Sequence, residues 1–326
     1  MKLVGRLRRI SVCLTASAFL LAAASPQIAL DLKRGNEEWY LPTTDGAARL
    51  YVREMGKGKP VVVVHGGFGA EHGYLVDPLR FLVRDHRLIY YDQRGSLRSP
   101  CSGANVSIEK HVEDLEQIRR ELKVERITLL GHSMGSYLAC AYAEKYPQHV
   151  SGLVLIGLAY GRTPVTDDDR ASQARSDKRF GEFIQRPEIQ AELKKNGLDG
   201  PHLSPRQESR KWRITFAAAN IFHIERWQQL QGGMVFYSQD AGSAAAKSMK
   251  AVDFIDFFAR QRFPIAVING SHDLVDMGGD IYRGLLRRAP NVDYTLVPFA
   301  GHNSWIDQPA MFREGVTRAV RKADAH

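Results

Sequence analysis

Residues 127–139 read Ile-Thr-Leu-Leu-Gly-His-Ser-Met-Gly-Ser-Tyr-Leu-Ala, an apolar β-type run that passes into a helical one through Gly131-His132-Ser133-Met134-Gly135. This is the Gly-x-Ser-x-Gly pattern of a strand that reverses into a helix within a few residues. So tight a reversal forces the central serine into strained backbone and leaves no room for neighbouring Cβ atoms, so both glycines serve the serine. Ser133 is therefore the candidate nucleophile. The pentapeptide alone is a weak signal; the strand before it and the helix after it give it weight.

A serine hydroxyl attacks only when a base takes its proton and a third group orients that base. Suitable partners follow two strand-like runs downstream. Pro264-Ile-Ala-Val-Ile-Asn-Gly270 ends in Ser271-His272-Asp273, and Tyr294-Thr-Leu-Val-Pro-Phe299 ends in Ala300-Gly301-His302. Asp273 is the expected orienting acid and His302 the general base. Asp276, in the same loop as Asp273, competes for the acid's place. His272 shares the acid's short loop and cannot also reach the serine. His132 adjoins Ser133, but the elbow turns adjacent side chains apart, which makes it a structural residue.

Upstream, Val61-Val-Val-Val-His65-Gly66-Gly67-Phe68-Gly69 joins a continuous apolar run, suited to a parallel strand buried on both faces, to a glycine loop. Such a loop aims backbone N–H groups at a developing oxyanion, and Gly67 and Met134 are the expected donors. A phosphate-binding loop is the rival, but the lysine-bearing P-loop spacing is missing and the glycines do not follow the dinucleotide pattern.

Together these motifs resemble the α/β-hydrolase superfamily, whose triads run in the chain order Ser, Asp, His. The likeness covers nearly all of the chain after the first thirty or so residues. It is closer to proline iminopeptidases, which show His-Gly-Gly-Pro-Gly and Asp-Gln-Arg-Gly-Ser-Gly-Arg-Ser where this chain has His65-Gly66-Gly67-Phe68-Gly69 and Asp92-Gln93-Arg94-Gly95-Ser96-Leu97-Arg98-Ser99. Phe68 replaces the proline and Leu97 a glycine. The elbow's His132 and Met134 stand where the iminopeptidases usually show Gly and Trp, and look more like an esterase's. The resemblance implies an α/β fold, a mostly parallel sheet with helices on both faces, and a helical cap over the catalytic serine.

At 326 residues, 44% of them hydrophobic, the chain suits one globular core with an insertion, and no repeat or low-complexity tract appears. Lys2, Arg6, Arg8 and Arg9 precede an apolar stretch from Ile10 to Leu21 and then Ala22-Ala23-Ala24-Ser25. That is a secretory signal pattern with a cleavage site near residue 24, predicting an exported protein; an uncleaved anchor is the alternative, and Ser11 argues against a twin-arginine route. Residues 1–25 carry four positive charges and no negative ones, so the formal +9 becomes +5 in the mature chain. The remainder is scattered, without the clustered basic face of nucleic-acid binding. Cys13 leaves with the signal; Cys101 and Cys140 either pair or stay free.

Trp39–Leu41 and Arg49–Arg53 flank Asp45-Gly46 as a hairpin, Leu88–Asp92 reads as a strand, and Ser107 caps a helix with acidic residues early and Arg119 and Arg120 late. The elbow helix stops near Pro147, and Gly152–Ile156 gives another strand. Asp92 and Arg94 brace the turn after their strand. About a hundred residues then break the alternation, too long for a plain connection, with helical spacing of Trp212, Phe216, Ala219, Phe222 and Trp227 between Arg206 and Leu230. The expected organisation is a signal peptide at 1–25, a core at 26–157 and 264–326, and a cap at 158–263.

Three functions are open. One is cleavage of an ester or amide through an acyl-serine, specifically iminopeptidase-like release of an N-terminal residue from short peptides. The second is a carboxylesterase on small acyl esters, and the third a non-catalytic ligand-binding relative. The caps of iminopeptidases supply carboxylates for the substrate's α-ammonium group; Glu225 is the candidate here, with Phe68 as a second substrate contact. No cofactor, no catalytic metal, no nucleic acid and no stable membrane partner after signal removal are expected, leaving a small-molecule or short-peptide substrate.

Overall fold

The apolar runs of the sequence form strands β1 (Glu37–Pro42), β2 (Arg49–Met55), β3 (Lys59–Val64), β4 (His86–Tyr91), β5 (Ile127–His132), β6 (Val150–Ile156), β7 (Ile265–Gly270) and β8 (Val292–Val297). They make one sheet in the order β1-β2-β4-β3-β5-β6-β7-β8. The first hairpin is antiparallel, as is the β2–β4 pair, and every pairing from β4 through β8 is parallel. The computed structural model describes residues 36–159, 166–231, 236–250 and 253–326. The expected signal segment lies outside them, and among the described residues no helix is long and apolar enough to cross a membrane.

The central strands read as unbroken apolar runs because both faces are covered. Val62, Val64 and Leu129 pack on one face with Leu115, Ile118, Leu138 and Ala139 of helices α1 (Ile108–Glu121) and α2 (Met134–Lys145). Val61, Val63 and Leu130 pack on the other, with Phe312, Val316 and Val320. The last three sit on the C-terminal helix Pro309–Asp324. Ser107 caps α1, its hydroxyl accepting the Lys110 N–H at 3.3 Å.

Between β6 and β7 lie helices α3 (Asp167–Phe183), α4 (Pro187–Lys195), α5 (Pro205–Asn220), α6 (Gln239–Lys247) and α7 (Phe254–Ala259). Ile189, Leu193, Ile214 and Ala217 form a separate apolar cluster with Trp227. The indole of Trp227 donates to Glu192 at 3.0 Å.

Two local expectations change, and one open choice is decided. The helical character from Arg206 to Leu230 breaks at Ile221: α5 ends at Asn220, and a 3-10 turn covers Ile224–Gln229. The break has a cause, since the Phe222 and His223 N–H groups leave the helix ladder for the Asp307 carboxylate at 2.8 and 2.9 Å. The last strand begins and ends two residues earlier than Tyr294–Phe299, because Pro298 has no N–H to continue the ladder and Phe299 sits at φ 49°. Cys101 and Cys140 are free; burial on α2 pushes the Cys140 thiol well above its ordinary range.

The turn after β4 is braced from within. Buried Arg94 forks onto Asp114 at 2.7 and 2.6 Å and also donates to Asp45 and the Asn105 carbonyl, both at 2.9 Å. Asp92 accepts from the His72 ring at 2.6 Å and from the Arg98 N–H at 3.0 Å. Removing one partner of a buried ion pair strands the other charge. Arg94→Ala is therefore expected to lower stability by about 3 to 5 kcal/mol. A urea midpoint equal to the parent's would contradict this bracing.

Candidate active site

Ser133 sits where β5 ends and α2 begins, at φ 54° and ψ −128°. Its N–H donates to the Ile156 carbonyl of β6 at 2.9 Å, which locks the strained residue to the sheet. The surroundings explain the glycines. A Cβ on Gly131 would lie 2.6 Å from the Gly135 carbonyl, and one on Gly66 would lie 2.7 Å from Ser133 Cβ. On Gly135 it would strike the Val64 carbonyl of β3. Each backbone approach demands a hydrogen in place of a side chain.

His302 Nδ1 lies 2.8 Å from Asp273 Oδ1, with both residues buried. The Val275 N–H donates to the same carboxylate oxygen at 3.0 Å. Asp276 is turned elsewhere: it accepts the Ile281 and Tyr282 N–H groups at 3.1 and 2.9 Å, where helix α8 (Asp280–Leu285) begins. Burial raises its carboxyl to about 6. His272 hydrogen-bonds Ser271 at 2.9 Å and packs between Phe183 and Phe222, away from the pair.

Ser133 and His302 face one cavity of about 540 Å³. Gly66 and Gly67 close one side; Trp212, Phe216 and Ala219 of α5, together with Tyr237, wall the other; Leu274 of the acid loop completes it. Gly67, at φ 63°, lies on the wall beside Ser133. Met134 is the first residue of α2, so its N–H is one of the donors a helix start leaves free. Ser133, Asp273, His302 and the two expected oxyanion donors thus come together at the carboxyl ends of β3, β5, β7 and β8, where ligands of parallel α/β sheets bind.

Residues 59–309 match the α/β hydrolase fold family. The chain belongs to that family. Relatives include a putative 2-succinyl-6-hydroxy-2,4-cyclohexadiene-1-carboxylate synthase of Bacillus subtilis, 27% identical over 83% of this chain and 94% of that one. A proline iminopeptidase of Saccharolobus solfataricus is 37% identical, but over only 33% of this chain and 35% of its own. Among solved structures, a proline iminopeptidase-related protein of Thermus thermophilus superposes with a TM-score of 0.61 at 24% identity, over 88% of this chain and 98% of that one. A thermophilic esterase of Thermogutta terrifontis gives 0.62 at 22%, over 88% and 99%. Family membership and these relatives support hydrolase chemistry on small substrates and leave the bond and the substrate open.

Two expected substrate contacts fall outside the cavity. Phe68 is buried and stacks on His111 with ring centroids 5.6 Å apart, because the apolar ring finds packing below the loop rather than above it. Glu225 is exposed on the 3-10 turn and pairs with His223 at 3.3 Å, solvated instead of facing the serine. Other residues matter that pattern did not single out. Gly157, at φ 54°, leaves the room His302 occupies: a Cβ there would lie 2.7 Å from His302 Cε1. Tyr74 reaches the cavity and hydrogen-bonds His132 at 2.7 Å. Glu71, His72 and Asp92 are close enough to share a metal ion, but their carboxylates already meet Arg98 at 3.4 and 3.3 Å.

The two loop aspartates separate by experiment. Asp273→Asn should lower kcat by up to about 10⁴-fold, because an amide favours the wrong imidazole tautomer. Asp276→Asn should leave kcat near the parent's and act on stability. The folded state holds the Asp276 proton up to about pH 6 whereas an unfolded aspartate loses it near 3.8. Its contribution is therefore present below pH 3.8 and lost as pH rises to about 6. Asp276→Asn should flatten that part of the stability curve; thermal melts from pH 4 to 7 beside kcat check both. A crippled Asp276→Asn with normal melting would reverse the assignment.

Proposed function

We propose that this chain is a serine hydrolase that cleaves esters of neutral, apolar acids or alcohols through an acyl-serine intermediate. The observation that carries this reading is the cavity lining: among the described residues no carboxylate lines the cavity that Ser133 and His302 face, Asp273 being spent on the far side of the imidazole. The undescribed segments inside the fold, 160–165, 232–235 and 251–252, read Tyr-Gly-Arg-Thr-Pro-Val, Gly-Gly-Met-Val and Ala-Val, without a single Asp or Glu. A substrate with an α-ammonium group would place that charge against Trp212, Phe216 and Leu274 with no carboxylate to pair it. A neutral ester meets no such penalty. The iminopeptidase reading keeps the support of sequence likeness, and the complete Ser, His and Asp set weighs against a purely binding role.

In the proposed reaction His302 takes the Ser133 proton as the hydroxyl oxygen attacks the ester carbonyl. Asp273 holds the imidazole by its Nδ1–H and stabilises the imidazolium that forms. The N–H groups of Gly67 and Met134 receive the developing oxyanion, a contribution of about 3 to 4 kcal/mol each. Collapse of the tetrahedral intermediate breaks the bond to the alcohol, which leaves with the proton from His302. Water then attacks the acyl-serine by the same route and releases the acid.

A panel of p-nitrophenyl esters and of prolyl and alanyl p-nitroanilides tests the substrate class. Esters should exceed the aminoacyl arylamides in kcat/KM by about 100-fold or more, the factor expected when about 3 kcal/mol opposes an uncompensated charge. Ser133→Ala should fall to background on both. A prolyl anilide as the best substrate would restore the iminopeptidase reading.

Export is proposed on the charged start and the Ala-x-Ala tripeptide. N-terminal sequencing of protein recovered from the exported fraction should begin after Ala24. An intact Met1 there would overturn cleavage.

A further inference from the structure

His132, adjacent to Ser133, is buried and contacts three aromatic rings: His302, Trp305 and Tyr74, with centroids 4.6, 4.9 and 5.5 Å away. Its two nitrogens reach different parts of the site. Nδ1 lies 2.7 Å from the Tyr74 hydroxyl, and Nε2 lies 3.3 Å from the His302 backbone carbonyl. The Tyr74 hydroxyl in turn accepts the Gly66 N–H at 2.8 Å. A continuous line of hydrogen bonds thus runs from the loop bearing Gly67 to the loop bearing His302, passing beside the serine.

Only one neutral tautomer satisfies every link. The Gly66 N–H can only donate and the His302 carbonyl can only accept. Nε2 must therefore carry a proton, and the Tyr74 O–H is left to donate into a bare Nδ1. His132 is neutral with its proton on Nε2. Burial, together with the neighbouring His302, holds its pKa well below the ordinary value and favours that same neutral form. A doubly protonated ring would take the acceptor away from the Tyr74 proton.

We propose that Tyr74 and His132 are positioning residues that set the distance between the oxyanion loop and the general base across Ser133. Both border the cavity, but neither exchanges a proton with substrate or with Ser133 in the proposed reaction. Tyr74 holds the residue before Gly67, and His132 holds the backbone of His302 itself. A transition state needs both the oxyanion donor and the base in register at once, whereas substrate entry into the apolar cavity needs neither. The proposal rests on the hydrolase reading above, and it predicts an effect on kcat rather than on KM.

The test has a catalytic arm and a spectroscopic arm. In the first, kcat and KM for a p-nitrophenyl ester, and the inhibition constant of an alkyl boronic acid, are measured for the parent, Tyr74→Phe, His132→Leu, the double variant and His132→Gln. The single variants are expected to lose about 10- to 100-fold in kcat with KM nearly unchanged. Boronate affinity should weaken by the same factor, and the double variant should be no worse than the weaker single. His132→Gln, which keeps one acceptor and one donor, should recover part of the loss. Unchanged kcat in folded Tyr74→Phe, or multiplying losses in the double variant, would overturn the proposal. The second arm reads the imidazole ¹⁵N shifts of His132 at pH 7, with the resonance assigned by its loss in His132→Gln. A neutral ring protonated on Nε2 supports the relay, and one protonated on Nδ1 overturns it. This arm needs no substrate, so an inactive parent would sink the hydrolase reading while the ¹⁵N result still decides the relay.

Discussion

The backbone of Ser133 is the constraint on which the site depends. A non-glycine residue at φ 54° and ψ −128° costs about 1 to 3 kcal/mol and persists only where the surroundings leave it no alternative. Here the surroundings are the end of β3 and the start of α2, pressed together through Gly66, Gly131 and Gly135. The buried central strands supply the rigidity that holds this crossing shut. The strain is thus tied to the part of the sheet least able to relax, and the hydroxyl is presented at the sheet edge.

The loop bearing His302 and the insertion above it are joined by one buried carboxylate. Asp307 accepts the N–H groups of Phe222, His223 and Gly301 at 2.8, 2.9 and 2.9 Å. It fastens the end of α5, whose Trp212 and Phe216 wall the cavity, to the residue just before His302. The apolar wall and His302 are therefore placed by shared contacts, and the cavity's shape follows from the same anchoring as the position of the imidazole.

Much of this was legible in the sequence because it is written in short contiguous stretches. The elbow, the valine strand with its glycine loop, and the loops ending in Asp273 and His302 each carry their signal within about ten residues. Asp273 and Asp276 could not be ranked with certainty by spacing alone; direction decided it, since one carboxylate faces His302 and the other the start of α8. Phe68 and Glu225 misled for a related reason. Their chemistry suited a substrate contact, but whether a loop side chain turns into a cavity depends on what packs beneath it. Gly157 answers to His302, and Tyr74 to a histidine 58 residues away. No local pattern encodes such pairings, because they arise only once strands distant in sequence lie side by side.

The central claim is that the Ser133 Oγ is the atom to which substrate becomes covalently attached. The most direct measurement is mass spectrometry of protein trapped with a fluorophosphonate, followed by peptide mapping of the adduct. The account predicts one phosphonyl group per chain, carried on Ser133, and none on Ser133→Ala that melts like the parent. An adduct on another residue, or equal labelling of both proteins, would contradict it.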